Sequence, residues 1–409
     1  ILNVISYRTV AKLGSYVSPS LDACLELYRR FDKQTCENEK KPVPKSKLAN
    51  GNNVGIKPAA EPIKPDDFYK TLSKLPKFRD LRWGHQEDAE EFLTHLLDQL
   101  HEEFITSIDA LNESDIMNLL QTINDEDLKG FFVRSLSKYK TANFVKNCSA
   151  QMKGVMDKYG SNGEDDEEDC ENGWHEVSST SRKGKKTKSA AKRTVEVEVS
   201  PISSIFGGQF RSVLDIPKNK ESQSITLDPF QTIQLDISDP AVNDLETAFK
   251  KFSEYELIPF KSSSGNDVEA KKQTFIDKLP QVLLIQLKRF SFINNTDKDK
   301  IVNYNAYSGR VEKIRKKIHY NHELTIPRET ISSVHANFYD DAGTKYKLVG
   351  VVYHHGVSPS GGHYTADVYH QEMDKWFRID DVNIAELNKE EVLKGGEDGF
   401  DSRTAYILM

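Results

Sequence analysis

The chain has 409 residues, 37% of them hydrophobic, and carries 56 basic against 63 acidic side chains for a formal net charge of −7. That is apolar material enough for one large domain or two ordinary ones, and the negative balance argues against nucleic acid as the main ligand. No apolar run approaches the ~20 residues of a membrane span and no signal-peptide pattern opens the chain, so the expectation is a cytoplasmic protein, with the nucleus as a second compartment and no membrane partner.

In chain order, Leu21, Cys24, Leu25 and Tyr28 fall at the i, i+3, i+4, i+7 positions of a buried helical stripe, with Ser20 or Asp22 as its cap. Residues 38 to 65 are rich in Lys, Pro, Asn and Gly without period and are expected to form a mobile insert. Asp66 and Asp67 cap a short helix. After Gly84 a long helix is predicted, in which Phe92, Leu96, Leu100 and Phe104 step by four along one buried face. Its opening turn carries four carboxylates, and complementing the helix dipole explains only one or two of them. Asp88 and Glu91, three apart, project to one side, where they could clamp a cationic peptide.

Further helical patterns run from 109 to 160. Residues 160 to 200 join an acidic run, EDDEEDCE, to a basic one, RKGKKTKSAAKR, and are expected to be a disordered insert. From Pro201 to Ile237 the alternation reads as β, and DLETAFKKFSEYE as a short amphipathic helix. In KLPQVLLIQLKRFSF a fully buried strand is predicted, with Lys288 and Arg289 emerging toward solvent. The polar tract up to Arg315 reads as an insert, KIHYNHELTIP as a further strand, and TAYILM as the last one.

The chemistry gathers between Leu348 and Asp381. Two alternating apolar runs, Tyr346 to Tyr353 and His363 to Tyr369, flank a loop of Gly, Ser and Pro, and a third, Trp376 to Ile379, follows a polar turn. Three consecutive antiparallel strands are the expectation. Gly361 and Gly362 permit close backbone approach, and His363 then starts a strand that can fix its ring. Asp380 ends the neighbouring strand, within reach of the imidazole. A histidine oriented by a carboxylate is the base half of a nucleophilic triad.

GGHYT followed by WFRIDD, together with Gln86-x-Asp88-x-x-Glu91 and the LP-x-VL-x-x-x-LKRF strand, resembles the ubiquitin-specific proteases, papain-like cysteine proteases that cleave ubiquitin from its conjugates. The resemblance implies an α+β fold in one domain: a helical thumb over about 1–155 with the insert 38–65, β-fingers over about 201–275 and a β-rich palm over about 276–409. It implies His363 as general base, Asp380 as the group that orients it and Asp381 as an auxiliary polar group. Gln86, Asp88 and Glu91, with Gly361, Gly362 and Tyr364, are implied to bind the ubiquitin tail. The partners implied are ubiquitin and ubiquitinated proteins, with a regulatory adaptor protein as a further one.

No cofactor is expected. Many family members bind a structural zinc in the fingers through two Cys-x-x-Cys pairs, but here the positions of the first pair hold Asp215 and Lys218, and no cysteine follows residue 171. The family's nucleophile lies in an N-terminal box of the form GL-x-N-x-GN-x-CY-x-N, which this sequence lacks. Cys24 sits on an apolar stripe, Cys36 and Cys148 have no flanking Gly or Asn pattern, and Cys170 lies among acids that disfavour a thiolate. The expectation is therefore a deubiquitinase domain truncated at its N-terminus and inactive alone. The alternative is a non-catalytic ubiquitin-binding protein using the same surface.

Overall fold

The computed structural model describes residues 18–39, 63–79, 87–124, 126–140, 142–160, 175–177, 190–195, 200–216, 223–261, 267–293, 310–334, 339, 343–358, 361–394 and 403–409. They fall into two compact units. One comprises Ile1–His85, Glu91–Asp169 and Glu198–Ser204, and the other Gln86–Glu90, Cys170–Val197 and Ile205–Met409.

The first unit is helical: α1 (Pro19–Glu39), α2 (Asp66–Leu72), α3 (Ala89–Ala110, whose first two residues belong to the second unit), α4 (Glu113–Thr122), α5 (Glu126–Tyr139), α6 (Ala142–Asn147) and α7 (Ala150–Gly160). Leu21 of α1, Phe104 and Ile108 of α3, Ile116 and Leu119 of α4, Leu136 of α5 and Met152 of α7 share its core. The buried line of α3 runs through Leu97, Phe104 and Ile108; of the predicted stripe only Phe104 is fully buried. Glu103 is buried on the same face because its carboxylate accepts the backbone N–H groups of Ser20 at 3.1 Å and Leu21 at 3.3 Å. These donors, at the start of α1, have no partner within their own helix, so one helix caps another. Helix α1 runs on to Glu39, into the tract predicted to be mobile, and residues 40–62 of that tract lie outside the described residues.

The second unit carries the strands. They are β1 (His175–Val177), β2 (Ala190–Thr194), β3 (Gly208–Asp215), β4 (Gln223–Phe230), β5 (Thr232–Asp236), β6 (Glu256–Lys261), β7 (Asp267–Lys278), β8 (Leu284–Lys288) and β9 (Phe290–Ile293). Then follow β10 (Arg310–Lys313), β11 (Glu323–Thr325), β12 (Lys345–Lys347), β13 (Gly350–Ser358), β14 (Gly361–His370), β15 (Lys375–Asp380), β16 (Asn383–Leu387) and β17 (Thr404–Leu408). A six-stranded sheet has the order β1-β2-β4-β3-β7-β6, and a seven-stranded sheet the order β16-β15-β14-β13-β17-β8-β5. All five residues of β17 and the first four of β8 are buried, as central strands covered on both faces require.

Four expectations need correction. Within the stretch predicted to be disordered, β1 pairs with β2 and β2 lies parallel to β4, so backbone pairing gives these residues order. Pro201–Phe206, predicted as β, is a helix: Ser203 N–H donates to Ser200 Oγ at 3.1 Å, Ser200 N–H to Ser203 Oγ at 2.8 Å, and Pro201 follows the cap. The polar tract before Arg315 ends in β10, paired with β9; residues 294–309 between them lie outside the described residues. Arg289, expected in solvent, is 1% exposed. Its guanidinium donates to the carbonyls of Ala405 at 2.8 Å, Ile314 at 3.1 Å and Lys316 at 2.6 Å, so the charge is satisfied by backbone oxygens of two separate segments.

Candidate active site

The predicted three-strand meander forms as β13, β14 and β15, antiparallel, with His355 opposite His363 and Ala366 opposite Ile379. Between His355 and Ser358 the β13 register slips, and there Gly356 takes φ +109°, a value open to glycine. Gly362 is required for a different reason. A Cβ on it would lie 2.2 Å from the His355 carbonyl oxygen and 2.6 Å from His354 Nε2, so the chain entering His363 rests directly on β13.

From this seat the His363 ring reaches Asp380: Nε2–H donates to Asp380 Oδ1 over 2.6 Å. A carboxylate can only accept, so the bond selects the tautomer with its proton on Nε2 and leaves the lone pair on Nδ1. Asp381 follows at φ +49°, in the two-residue turn into β16, a conformation Asp tolerates. One ligating atom from each of His363, Asp380 and Asp381 lies within 4.8 Å of the others. Beside them, Arg378 Nε and Nη2 donate to the two oxygens of Asp367, each at 2.8 Å, and Asp367 is fully buried. That fork pins the β14–β15 register on which the His363–Asp380 bond depends. The His355 ring stands 5.6 Å from that of His363, with Nε2 2.8 Å from Thr365 Oγ1.

Beneath the Gly361-Gly362 entry lies a layer of rings. His354 is buried, with Phe290 at 5.3 Å, Tyr364 at 5.1 Å and Tyr406 at 6.4 Å between ring centres. Burial, reinforced by the Lys313 cation, pushes its pKa down to about 4 and keeps the ring neutral at ordinary pH. Lys313 Nζ donates to the carbonyls of His354 at 2.9 Å and Gly356 at 3.0 Å, clamping the bulge in place.

Asp88 belongs to this layer. Its Oδ1 accepts the Glu90 N–H at 2.8 Å, at the start of α3, and its Oδ2 accepts the Tyr406 hydroxyl at 2.7 Å. Burial, and then Asp88, raise the Tyr364 hydroxyl to about 12, against the backbone hydrogen bond it receives from Ala89. Of the residues predicted for the site, the structure thus brings together Asp88, Gly361, Gly362, His363, Tyr364, Asp380 and Asp381. Glu91 is exposed, in the helical unit, with its carboxylate 3.7 Å from His95 Nε2, and Gln86 lies outside the described residues.

Sequence reasoning missed His354, Lys313, Asp367, Arg378 and Tyr406. Two had a signal. Arg378 and Asp380 alternate onto one face of WFRID, and Asp367 interrupts an apolar strand whose polar member must find a partner inside.

Compared with known proteins, residues 19–409 match the family described as ubiquitin carboxyl-terminal hydrolase. The chain is 64% identical over its whole length to ubiquitin carboxyl-terminal hydrolase 3 of Saccharomyces cerevisiae, covering 46% of that protein. It is 30% identical, again over its whole length, to ubiquitin carboxyl-terminal hydrolase 10-B of Xenopus laevis, covering 43%. The chain therefore spans about half the length of these relatives. Among solved structures it is similar to one titled the SAGA Ubp8/Sgf11/Sus1/Sgf73 DUB module bound to ubiquitin aldehyde, with TM-score 0.48, 19% identity and coverage of 84% of this chain and 52% of that one.

Proposed function

We propose, from the premise that this chain belongs to the ubiquitin carboxyl-terminal hydrolase family, that the full-length protein is a cysteine-type deubiquitinase with His363 as general base. The observation that carries the reading is the 2.6 Å bond from His363 Nε2 to Asp380 Oδ1, which leaves Nδ1 to receive a proton. A thiol gives its proton to Nδ1, and the sulfur attacks the carbonyl carbon of ubiquitin's terminal glycine. The carbon–nitrogen bond breaks as Nδ1 returns the proton to the leaving amine. Water then attacks the thioester, losing a proton to the same nitrogen; the carbon–sulfur bond breaks, the sulfur leaves as the thiolate paired with the imidazolium, and ubiquitin departs with a free C-terminal carboxyl, which ionises to solvent. Asp380 stabilises the imidazolium in each half-reaction.

The reading takes the thiol from outside the described residues. Burial and the nearby Glu103 push the Cys24 thiol up to about 11, and Cys148 is buried with its sulfur turned to the Val145 carbonyl. The first is unsuited to form a thiolate, and the second is closed off from a substrate by its burial. Ubiquitinated proteins as substrates, an adaptor as regulator and a cytoplasmic setting belong to the same proposal.

Hydrolysis of ubiquitin carrying a C-terminal fluorogenic amide tests it on the full-length protein. Release of the fluorophore, stopped by a thiol alkylator, is expected. Ubiquitin binding without release, and without a covalent adduct to ubiquitin bearing a C-terminal vinyl sulfone, would overturn the reading in favour of a non-catalytic binder. Exposed Glu91 is assigned to the arginine-bearing ubiquitin tail. Its loss in Glu91→Gln should raise KM about 10- to 100-fold with kcat little changed, the effect of removing a charge-assisted contact of about 1.5 to 3 kcal/mol. An unchanged KM would remove Glu91 from the tail site.

A further inference from the structure

We propose that Tyr406 is a positioning residue for the catalytic strand, and that Asp88 acts through it: beside Tyr364, the two latch residues 88–90 of the second unit onto the sheet that carries His363. The inference rests on the deubiquitinase reading for its kinetic consequences, and on geometry alone for the latch itself.

The Tyr406 hydroxyl has its roles fixed by its neighbours. Gln286 Nε2 donates to it at 2.9 Å, and it donates in turn to Asp88 Oδ2 at 2.7 Å, since the carboxylate offers no proton. Gln286 lies on β8 and Tyr406 on β17, two central strands of the seven-stranded sheet, so the donor is held on a rigid base. The other Asp88 oxygen accepts the Glu90 N–H. Both oxygens of an acid the sequence assigned to substrate are thereby engaged by the protein itself. Tyr364, which directly follows His363, packs in the same ring layer. The two tyrosines thus come one from the strand of the catalytic base and one from the strand two places behind it, and the second holds Asp88. The rings of Tyr364 and Tyr406 stand 6.3 Å apart, and His354, on which Gly362 rests, contacts both. Loosening Tyr406 therefore frees Asp88, and with it the packing that fixes the height of the Gly362-His363 backbone. A displacement of the base by a fraction of an ångström reduces turnover more than binding.

Tyr406→Phe removes only the hydroxyl and keeps the ring, so the fold should persist. On ubiquitin fluorogenic amide, Tyr406→Phe and Asp88→Asn in the full-length protein should each lower kcat about tenfold with KM within twofold. The double variant should be no worse than the more affected single one, because each breaks the same bond. Hydrogen exchange provides a reading independent of turnover: the Glu90 amide should exchange about tenfold faster in Tyr406→Phe. Three results would overturn the latch. In the first, KM rises in Asp88→Asn while Tyr406→Phe is silent, which makes Asp88 a substrate contact. In the second, losses are additive in the double variant. In the third, Glu90 exchange is unchanged. Wild-type protein that shows no turnover while Tyr406→Phe still speeds Glu90 exchange would sink the deubiquitinase reading and leave the latch standing.

Discussion

Asp380→Asn should lower kcat/KM for ubiquitin amide hydrolysis by about 100- to 10,000-fold without unfolding the protein, the range associated with losing the orientation of a catalytic base. The cause is the tautomer. The Asp380 carboxylate accepts from Nε2–H over 2.6 Å, which places the basic lone pair on Nδ1. An amide at 380 can present its NH2 group to Nε2 instead, which moves the ring proton to Nδ1 and removes the proton acceptor from the side that needs it. Asp381 is the internal control. It lies in the adjacent turn at φ +49°, where Asn is equally well accommodated, and Asp381→Asn should cost less than tenfold. Steady-state kinetics on both variants, with circular dichroism to confirm folding, would decide it. A larger loss at 381 than at 380 would transfer the orienting role to Asp381.

Arg289→Met should destabilise the second unit by about 3 to 5 kcal/mol, the cost of breaking a buried charged network by removing one side of it. Three carbonyls, those of Ala405, Ile314 and Lys316, lose their donor in a site where Arg289 is 1% exposed. Burial lowers the guanidinium pKa only to about 10, so the side chain remains charged at neutral pH and the network is intact under ordinary conditions. Arg289→Lys keeps a charge but offers one nitrogen where three oxygens wait, and should recover only part of the loss. Urea unfolding followed by tryptophan fluorescence measures both. A shift under 1 kcal/mol in Arg289→Met would show that water replaces the guanidinium, and that the carbonyls do not depend on it.

The legible parts of the chain were those whose partners sit close in sequence. His363 and Asp380 are the ends of adjoining strands seventeen residues apart, and the apolar alternation between them specifies the register that joins them. Arg289 was illegible because a charged residue at the end of an apolar strand reads as solvent-facing unless the acceptors are known, and they lie 25 to 116 residues away. Asp88 shows the same limit more strongly: the acidic helix opening was plain, but its bond to Tyr406 spans 318 residues and leaves no local trace. The helix over Pro201–Phe206 is a different case. Ser200, Pro201 and Ser203 carry a helix-start signature, but the β-like alternation that follows directly masks so short a helix. For β1 and β2 the local composition carried no apolar alternation to read, and the pairing of β2 with β4 lies some thirty residues along the chain.

The β9–β10 pairing opens a practical route into this molecule. Ile293 and Arg310 face each other across the hairpin, and Lys313, at the far end of β10, is anchored on the carbonyls of His354 and Gly356. Whatever length of chain joins 293 to 310, its two ends are already brought together by the strands. The entropy of closing such a loop grows only with the logarithm of its length, about 0.6 kcal/mol for each doubling. A reporter peptide or a fluorophore-bearing cassette spliced between these positions would therefore sit one short strand pair away from the bulge that Lys313 clamps, with its attachment points held in register by the native ladder.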